Sequence, residues 1–401
     1  MTRTSKQCIS VLRHFSVLRY FSVFVTLSLV LSGCSLQQDP AASSDPESGL
    51  FHESGHFHEM TPSSEPDSYD SNIHIVTEDD SLPPQENMVR SRLTNEWIDA
   101  EAAETRPIAV IIPNESAALP HYNLSKASIL YEANVEGRMS RLMAVYEDWE
   151  SLVRIGNIRS ARTYYAYWAF EWDAFLVHYG GPYYINELMA EPTTENINGL
   201  AGSEEAFYRS KDRSEPHNVY ADGKTLLQSI KKHNYQLEYR GMTDEEHFCF
   251  ATKAAPNSLT QYGDRAYNAT YIDLSGCYPL TRCYFDFNED DGLYYRFQHL
   301  SGSVDQPHQD ADGTQLTFKN ILVQYITQEV LDQKGYLAMQ CHDNTKDGWF
   351  FTNGKAIHVT WEKDSDYGAT KFYDDDGNEI VLNTGKTMIC IVKETDSLTF
   401  R

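Results

Sequence analysis

Apolar and polar positions divide the chain into three stretches of different rhythm. Near the N-terminus a run without one charge, "YFSVFVTLSLVLSGC" at 20–34, follows Arg3, Lys6, Arg13 and Arg19. A basic flank before a short apolar run is the pattern of a secretory signal, too short and wrongly flanked for a stable spanning helix. From Ser35 to Thr105 polar positions dominate, and too few apolar residues remain to offset the entropy of ordering. This stretch predicts a disordered tether, with "SRLTNEWIDAEAAE" at its end forming one short helix against the domain.

From Arg106 onward the pattern becomes that of a fold. "RPIAVIIPN" is a β-branched apolar run stopped by Pro113 and Asn114, and it predicts a buried strand. "ASILYEANVEGRMSRLMAVYED" holds two β-rich runs around Gly137 and predicts a hairpin. "SARTYYAYWAFEWDAF" has helical length and spacing with Ser160 as its N-cap, and "AFLVHYGG" predicts a short strand ending in a Gly-Gly turn. A loop with Arg209, Lys211, Arg213 and His217 then leads to a helix beginning near Asp222. Strands and helices mix without a βαβ repeat, so residues 106–245 predict an α/β domain with a mixed sheet. After residue 245 the pattern turns to β. "GLYYRFQH", "KNILVQYI" and "GWFFTNGKAIHVTW" alternate or run apolar, Asn353-Gly354 signals a two-residue hairpin, and "DDDGNE" another turn. Residues 246–401 predict a mostly antiparallel β domain.

Charge sharpens this division. The chain carries −25; the signal, residues 1–34, contributes +4, the tether, residues 35–105, −14, and the remaining core −15. An acidic core argues against nucleic acid as a partner and makes any basic cluster within it informative. His52, His56 and His58 belong to the solvated tether, and no metal site or cofactor is expected.

Leu31-Ser32-Gly33-Cys34 has the form of a lipobox, in which the Cys34 thiol takes a diacylglyceryl group and becomes the mature N-terminus. Two or three acyl chains suffice for stable anchoring, which predicts a protein held to the cell membrane on its extracytoplasmic face. Beyond Cys8 and Cys34, the core holds Cys249, Cys277, Cys283, Cys341 and Cys390 without zinc spacing. Cys277 and Cys283 form the closest pair, either a disulfide or buried free thiols.

Taken together, "RPIAVIIPN", "LSKASILYEANVEGRMSRLMAVY", "IGNIRSARTYYAYWAFEWDAFLVHYGG" and "PHNVY", followed by "GLYYRFQH", "LTFKNILVQY", "GWFFTNGKAIHVTWEK" and "TKFYDDDGNEIVLNTGKT", resemble the YerB-like lipoproteins, a two-domain family of unknown function. The resemblance implies an exported lipoprotein with an α/β N-terminal domain and a β-rich C-terminal domain, and it supplies no catalytic set. The chain departs from the pattern at "HYGGPYY", where Pro182-Tyr183-Tyr184 replace smaller residues and are expected to narrow a ligand site at that turn.

Side chains that could carry chemistry concentrate around positive charge. Arg138 and Arg141 follow the Gly137 turn, Arg159 and Arg162 open the aromatic helix, His178 ends a strand, and Arg209, Arg213 and His217 lie on a loop. Guanidiniums at a helix start suit a phosphate or carboxylate, because each grips bidentately and the macrodipole adds positive potential. Arg141, Arg159, Arg162, His178, Arg213 and His217 are therefore the candidate ligand residues, for an anionic cell-wall glycan or precursor. The competing reading pairs the arginines with Glu132, Glu136, Glu171 or Asp173 in a structural network. Two alternative functions stand beside ligand binding. Glu132 and Glu136, four apart on a strand, could form an acid/base pair with His178 for an envelope hydrolase or transferase. Aromatic residues Tyr164 to Trp172 could instead face an envelope protein in an assembly factor.

Overall fold

In this computed structural model the described residues are 81–242, 246–299 and 305–401. The signal, Cys34 and the histidines at 52, 56 and 58 lie outside them. Order begins earlier than the composition of the tether predicts. Met88–Arg90 and Trp97–Asp99 pair antiparallel, and a helix spans Ala100–Glu104 with Asp99 as N-cap. Leu93, between the paired strands, is 1% exposed and anchors this segment to the core.

A sheet of eleven strands runs through the rest of the protein. Its N-terminal half uses β1 (Ile108–Pro113), β2 (Ile129–Asn134), β3 (Ser140–Tyr146), β4 (Phe175–His178) and β5 (Asn196–Asn198). Its C-terminal half uses β6 (Tyr267–Asn268), β7 (Asn320–Ile326), β8 (Asp343–Thr352), β9 (Lys355–Lys363) and β10 (Lys371–Tyr373), closed by β11 (Thr387–Lys393). The order is β6-β9-β8-β7-β11-β2-β3-β1-β4-β5, with β10 also on β9. Strand β11 lies between the halves and pairs parallel with both neighbours, Val392 opposite Tyr325 and Cys390 opposite Glu132. The C-terminal half is antiparallel elsewhere, in line with its pattern of local hairpins. Turn chemistry sets those hairpins: Asn353 and Gly354 both take positive φ, which is what a two-residue turn matched to strand twist requires.

Both faces of the sheet are covered, which explains why β1 is buried at every position. Ile108, Val110 and Ile112 face one core, and Ala109 and Ile111 face the other. The first core receives Leu226 and Ile230 from α2 (Gly223–Lys232), whose N-cap Asp222 accepts the Thr225 amide at 2.8 Å in a capping box. Gly223 is required there, since a Cβ would fall 2.2 Å from the Trp149 carbonyl oxygen. Ile272, Phe285 and Tyr294 on the inner face of a separate six-stranded sheet complete this core. The second core is built on α1 (Thr163–Phe170), which buries Tyr164, Tyr165 and Trp168 against β2 and β3 side chains. Each such ring removes enough apolar surface to contribute on the order of 2–3 kcal/mol.

One expectation changes and two open alternatives narrow. The aromatic helix starts at Thr163 with Arg162 as N-cap, not at Ser160. Residues 157–162 are instead held as an irregular segment: the Arg159 amide donates to Ile111 O at 2.9 Å and the Ala161 amide to Gly180 O at 3.0 Å. The aromatic run offers little surface to a partner, because Tyr164, Tyr165, Trp168, Phe170 and Trp172 are all buried and Tyr167 is half-buried against His342. Cys277 and Cys283 are free, as are Cys249, Cys341 and Cys390, and all but Cys249 are buried. No helix among the described residues is long and apolar enough to cross a membrane.

Candidate anion-binding site

Five of the six candidate ligand residues converge, because β3 and the 157–162 segment lie side by side and the 213–217 loop folds onto them. Arg141, on β3, sends its guanidinium to Ser160, donating to the carbonyl at 2.6 Å and the hydroxyl at 3.1 Å. Arg162 grips Glu136 with both Nε, at 3.0 Å, and a terminal nitrogen, and also donates to Ala161 O at 2.7 Å. Glu136 thus fills the space between two arginines, with Arg141 4.0 Å from the same carboxylate. Burial pushes the Glu136 carboxyl up, but the Arg162 hydrogen bonds and charge outweigh it and hold it below its usual range. Arg141 is brought down to about 10, first by burial and then by the charge of Arg162.

Arg159 differs from both. It is half-buried, its Nε has no partner, and its one hydrogen bond is a long contact from Nη1 to Pro216 O at 3.4 Å. Burial lowers its affinity for the proton; Glu115 opposes that and Arg162 adds to it. His217 lies 3.6 Å from Glu115, and burial together with Arg159 and Arg213 keeps it below its ordinary value despite that carboxylate. Arg213 serves the backbone, donating to the carbonyls of Ala118 and Pro120. Among the described residues the carboxylates within ion-pair distance of these five groups are Glu115 and Glu136 alone. Four guanidiniums facing two carboxylates leave positive charge in surplus, in a core that is otherwise acidic.

His178 does not join them. It is buried under the sheet edge, with Nδ1 on Gly180 O at 2.8 Å and Nε2 on the Asn196 side chain at 3.2 Å, and burial lowers its pKa. The proposed acid/base pair also fails. Glu132 belongs to β2 and points into the first core, whereas β2 ends at Asn134 and Glu136 sits in the turn beyond, reaching Arg162 on the opposite face. Glu132 is completely buried, paired with Arg296 at 2.7 Å and bonded to Asn114 at 2.9 Å and Ser140 at 2.6 Å. The other candidate partners are taken as well, Glu171 by Lys363 and Asp173 by Arg106 and Arg240.

Two contributors had no signal in the sequence. Glu115 follows the β1 stop signal and reads there as a loop residue. A hairpin of the C-terminal half, Gln328–Val330 paired with Leu337–Met339, lays Tyr336 under the Arg162 guanidinium, 5.2 Å from the ring centre. Tyr184 donates to Asp332 at 3.1 Å on that hairpin, and Tyr183 stacks on Tyr184 while remaining 68% exposed. The "PYY" departure therefore gives the site an aromatic rim.

The architecture and this signature have relatives. The family described as "Protein of unknown function (DUF3048) N-terminal domain" matches residues 93–236, and its C-terminal domain matches residues 277–389. The chain belongs to the DUF3048 family. Within the DUF3048 proteins it is 25% identical over 318 residues to "Putative lipoprotein YerB" of Bacillus subtilis strain 168, spanning 79% of this chain and 90% of that one. The crystal structure of the YerB protein from Bacillus subtilis has the same fold, with a TM-score of 0.64 at 23% identity, over 78% of this chain and 99% of that one. The DUF3048 match confirms the resemblance read from the ordered signatures.

Proposed function

We propose that the protein is a lipid-anchored envelope protein, tied to the extracytoplasmic face of the cell membrane through Cys34, that binds an anionic glycan or glycan precursor. The observation that carries this reading is Arg159: a half-buried guanidinium with no carboxylate partner among the described residues, beside two arginines already satisfied by Glu136. A phosphate or carboxylate would supply the missing charge-assisted hydrogen bonds, with Arg141 and Arg162 adding field and His217 and Arg213 nearby. Tyr336 under Arg162, followed outward by Tyr184 and the exposed Tyr183, adds the aromatic surface that sugar binding favours. Titration of wall-derived anionic fragments should give affinity at least tenfold weaker in Arg159→Ala; equal affinity in both proteins would sink the proposal. Labelled palmitate should enter the wild type and not Cys34→Ala.

A second reading, docking of another envelope protein, draws on the exposed Val330, Leu331 and Tyr183 around the same hairpin. Crosslinking from Val330 in the native membrane distinguishes it, since a glycan site gives no specific protein adduct there.

A further inference from the structure

A cavity of about 590 Å³ opens beside residues 239–250, between the two family-matched stretches, and none of the arginine-cluster residues lines it. Its wall includes Arg92, Trp172, Tyr239, His247, Phe248 and Phe250. That volume is typical of small-molecule sites, which pair aromatic walls with a few placed polar groups. Among the described residues, His247 is the aromatic polar group of this wall whose ring nitrogens make no hydrogen bond. Its ring stacks on Trp172 with centroids 3.6 Å apart and meets the Phe248 edge at 4.6 Å, and its side chain is only 7% exposed. Among the described residues, Nδ1 and Nε2 are both buried with no hydrogen-bond partner. A buried polar atom left unpaired in a native fold is uncommon and calls for an explanation.

The partner that His247 lacks has a defined chemistry. Nε2 lies 3.6 Å from the Glu171 carboxylate, beyond a hydrogen bond but near enough for that charge to favour the ring proton on this side, which leaves a lone pair on Nδ1. Burial lowers the pKa of His247 against the pull of Glu171, keeping the ring neutral near pH 7. Glu171 itself is spent on Thr370, Lys363 and Tyr131, and Asp173 on Arg106 and Arg240. Arg92 at the mouth lies 3.8 Å from Glu104. Arg90, which donates to Asn95 O and lies over the Trp97 ring, and the exposed Glu246 complete the charged lining, while the ring faces and the His247 acceptor stand unmatched. We infer that this cavity binds a small neutral ring carrying a hydroxyl or N–H donor, with the donor on His247 Nδ1 and the ring between the aromatic walls.

Both sugars and aromatic heterocycles have that chemistry, so N-acetylglucosamine and indole serve as separate probes. Ligand-observed NMR on the full-length chain should show saturable binding of at least one, and which one identifies the source. His247→Phe keeps the stack on Trp172 and removes the acceptor, and should weaken binding tenfold or more. His247→Asn, which places an amide oxygen near the former Nδ1, should recover part of it. Phe250→Trp narrows the cavity from another wall and should also weaken binding, which covers the case of His247→Phe failing to fold. Arg159→Ala should leave this binding unchanged. Saturation by neither probe, or wild-type affinity in folded His247→Phe or Phe250→Trp, overturns the inference.

Discussion

Two charged clusters lie on opposite faces of the same sheet and answer the same question differently. On the first face, Glu132 meets Arg296, Arg296 meets His308, and His308 Nε2 meets His121 Nδ1 at 3.0 Å, with His121 Nε2 on Pro113 O at 2.8 Å. All four side chains are buried, and they join the two halves of the chain. On the other face, Arg141, Arg159 and Arg162 surround Glu136 in half-open surroundings, with charge left over. The same residue types make a closed joint in one place and an unsaturated one in the other. Arginine content therefore does not distinguish the two clusters; the difference is a guanidinium at partial exposure that has no carboxylate among the described residues.

Breaking the closed joint should have the largest effect. Arg296→Met strands Glu132 in the core and should cost about 3–5 kcal/mol in denaturant unfolding. Glu132→Gln added to it should restore part of the loss; additive losses would show the two residues to be uncoupled.

Acid tests the same joint more gently. Burial, reinforced by Arg213 and Arg296, brings His121 down to about 4, and burial with Arg296 depresses His308 further. Both histidines are neutral when folded, while an unfolded histidine titrates near 6.5. The unfolded chain then binds more protons, so their contribution is present above pH 6.5 and is lost as pH falls toward 4. For His121 the loss reaches roughly 3 kcal/mol. Unfolding of His121→Asn should depend less on pH than the wild type between 6.5 and 4; identical slopes would remove His121 from the account.

The open cluster should respond in affinity more than in stability. Glu136→Gln leaves two buried arginines facing a neutral group and should cost about 1–3 kcal/mol. It should also strengthen anion binding, because Arg162 is released. Arg159→Ala should move stability by no more than about 0.5 kcal/mol. A larger change in thermal unfolding would make Arg159 part of the structural network after all.

Much of the fold could be read from local pattern, and the reasons are local. The β1 run, the Gly137 hairpin, the Asn353-Gly354 turn and the Asp222 cap each rest on residues within a few positions of one another. Where distant segments decide, reading fails. Ser160 was eligible as a cap until Ile111 and Gly180 claimed the neighbouring amides. Glu132 and Glu136 share a face only if the strand continues, and it ends at Asn134. Arg296 and Lys363 are ordinary strand positions and His308 lies just past a two-residue strand, with nothing nearby to reveal that each meets a carboxylate or histidine from the other half. The candidate ligand residues lie together except His178, while Glu115 and Tyr336 come from loops whose proximity only the fold creates.

Strand β11 has a consequence for how the molecule is made. The open side of β2 waits for residues 387–393, more than 250 positions downstream, and until they arrive that edge is an unfilled slot in the middle of the future sheet. Any β-rich segment that reached it first would be a competitor, so the assembly is exposed to mispairing for as long as the last strand is missing. A proteolytic cut or premature stop before residue 387 should yield an aggregation-prone chain rather than a smaller working domain.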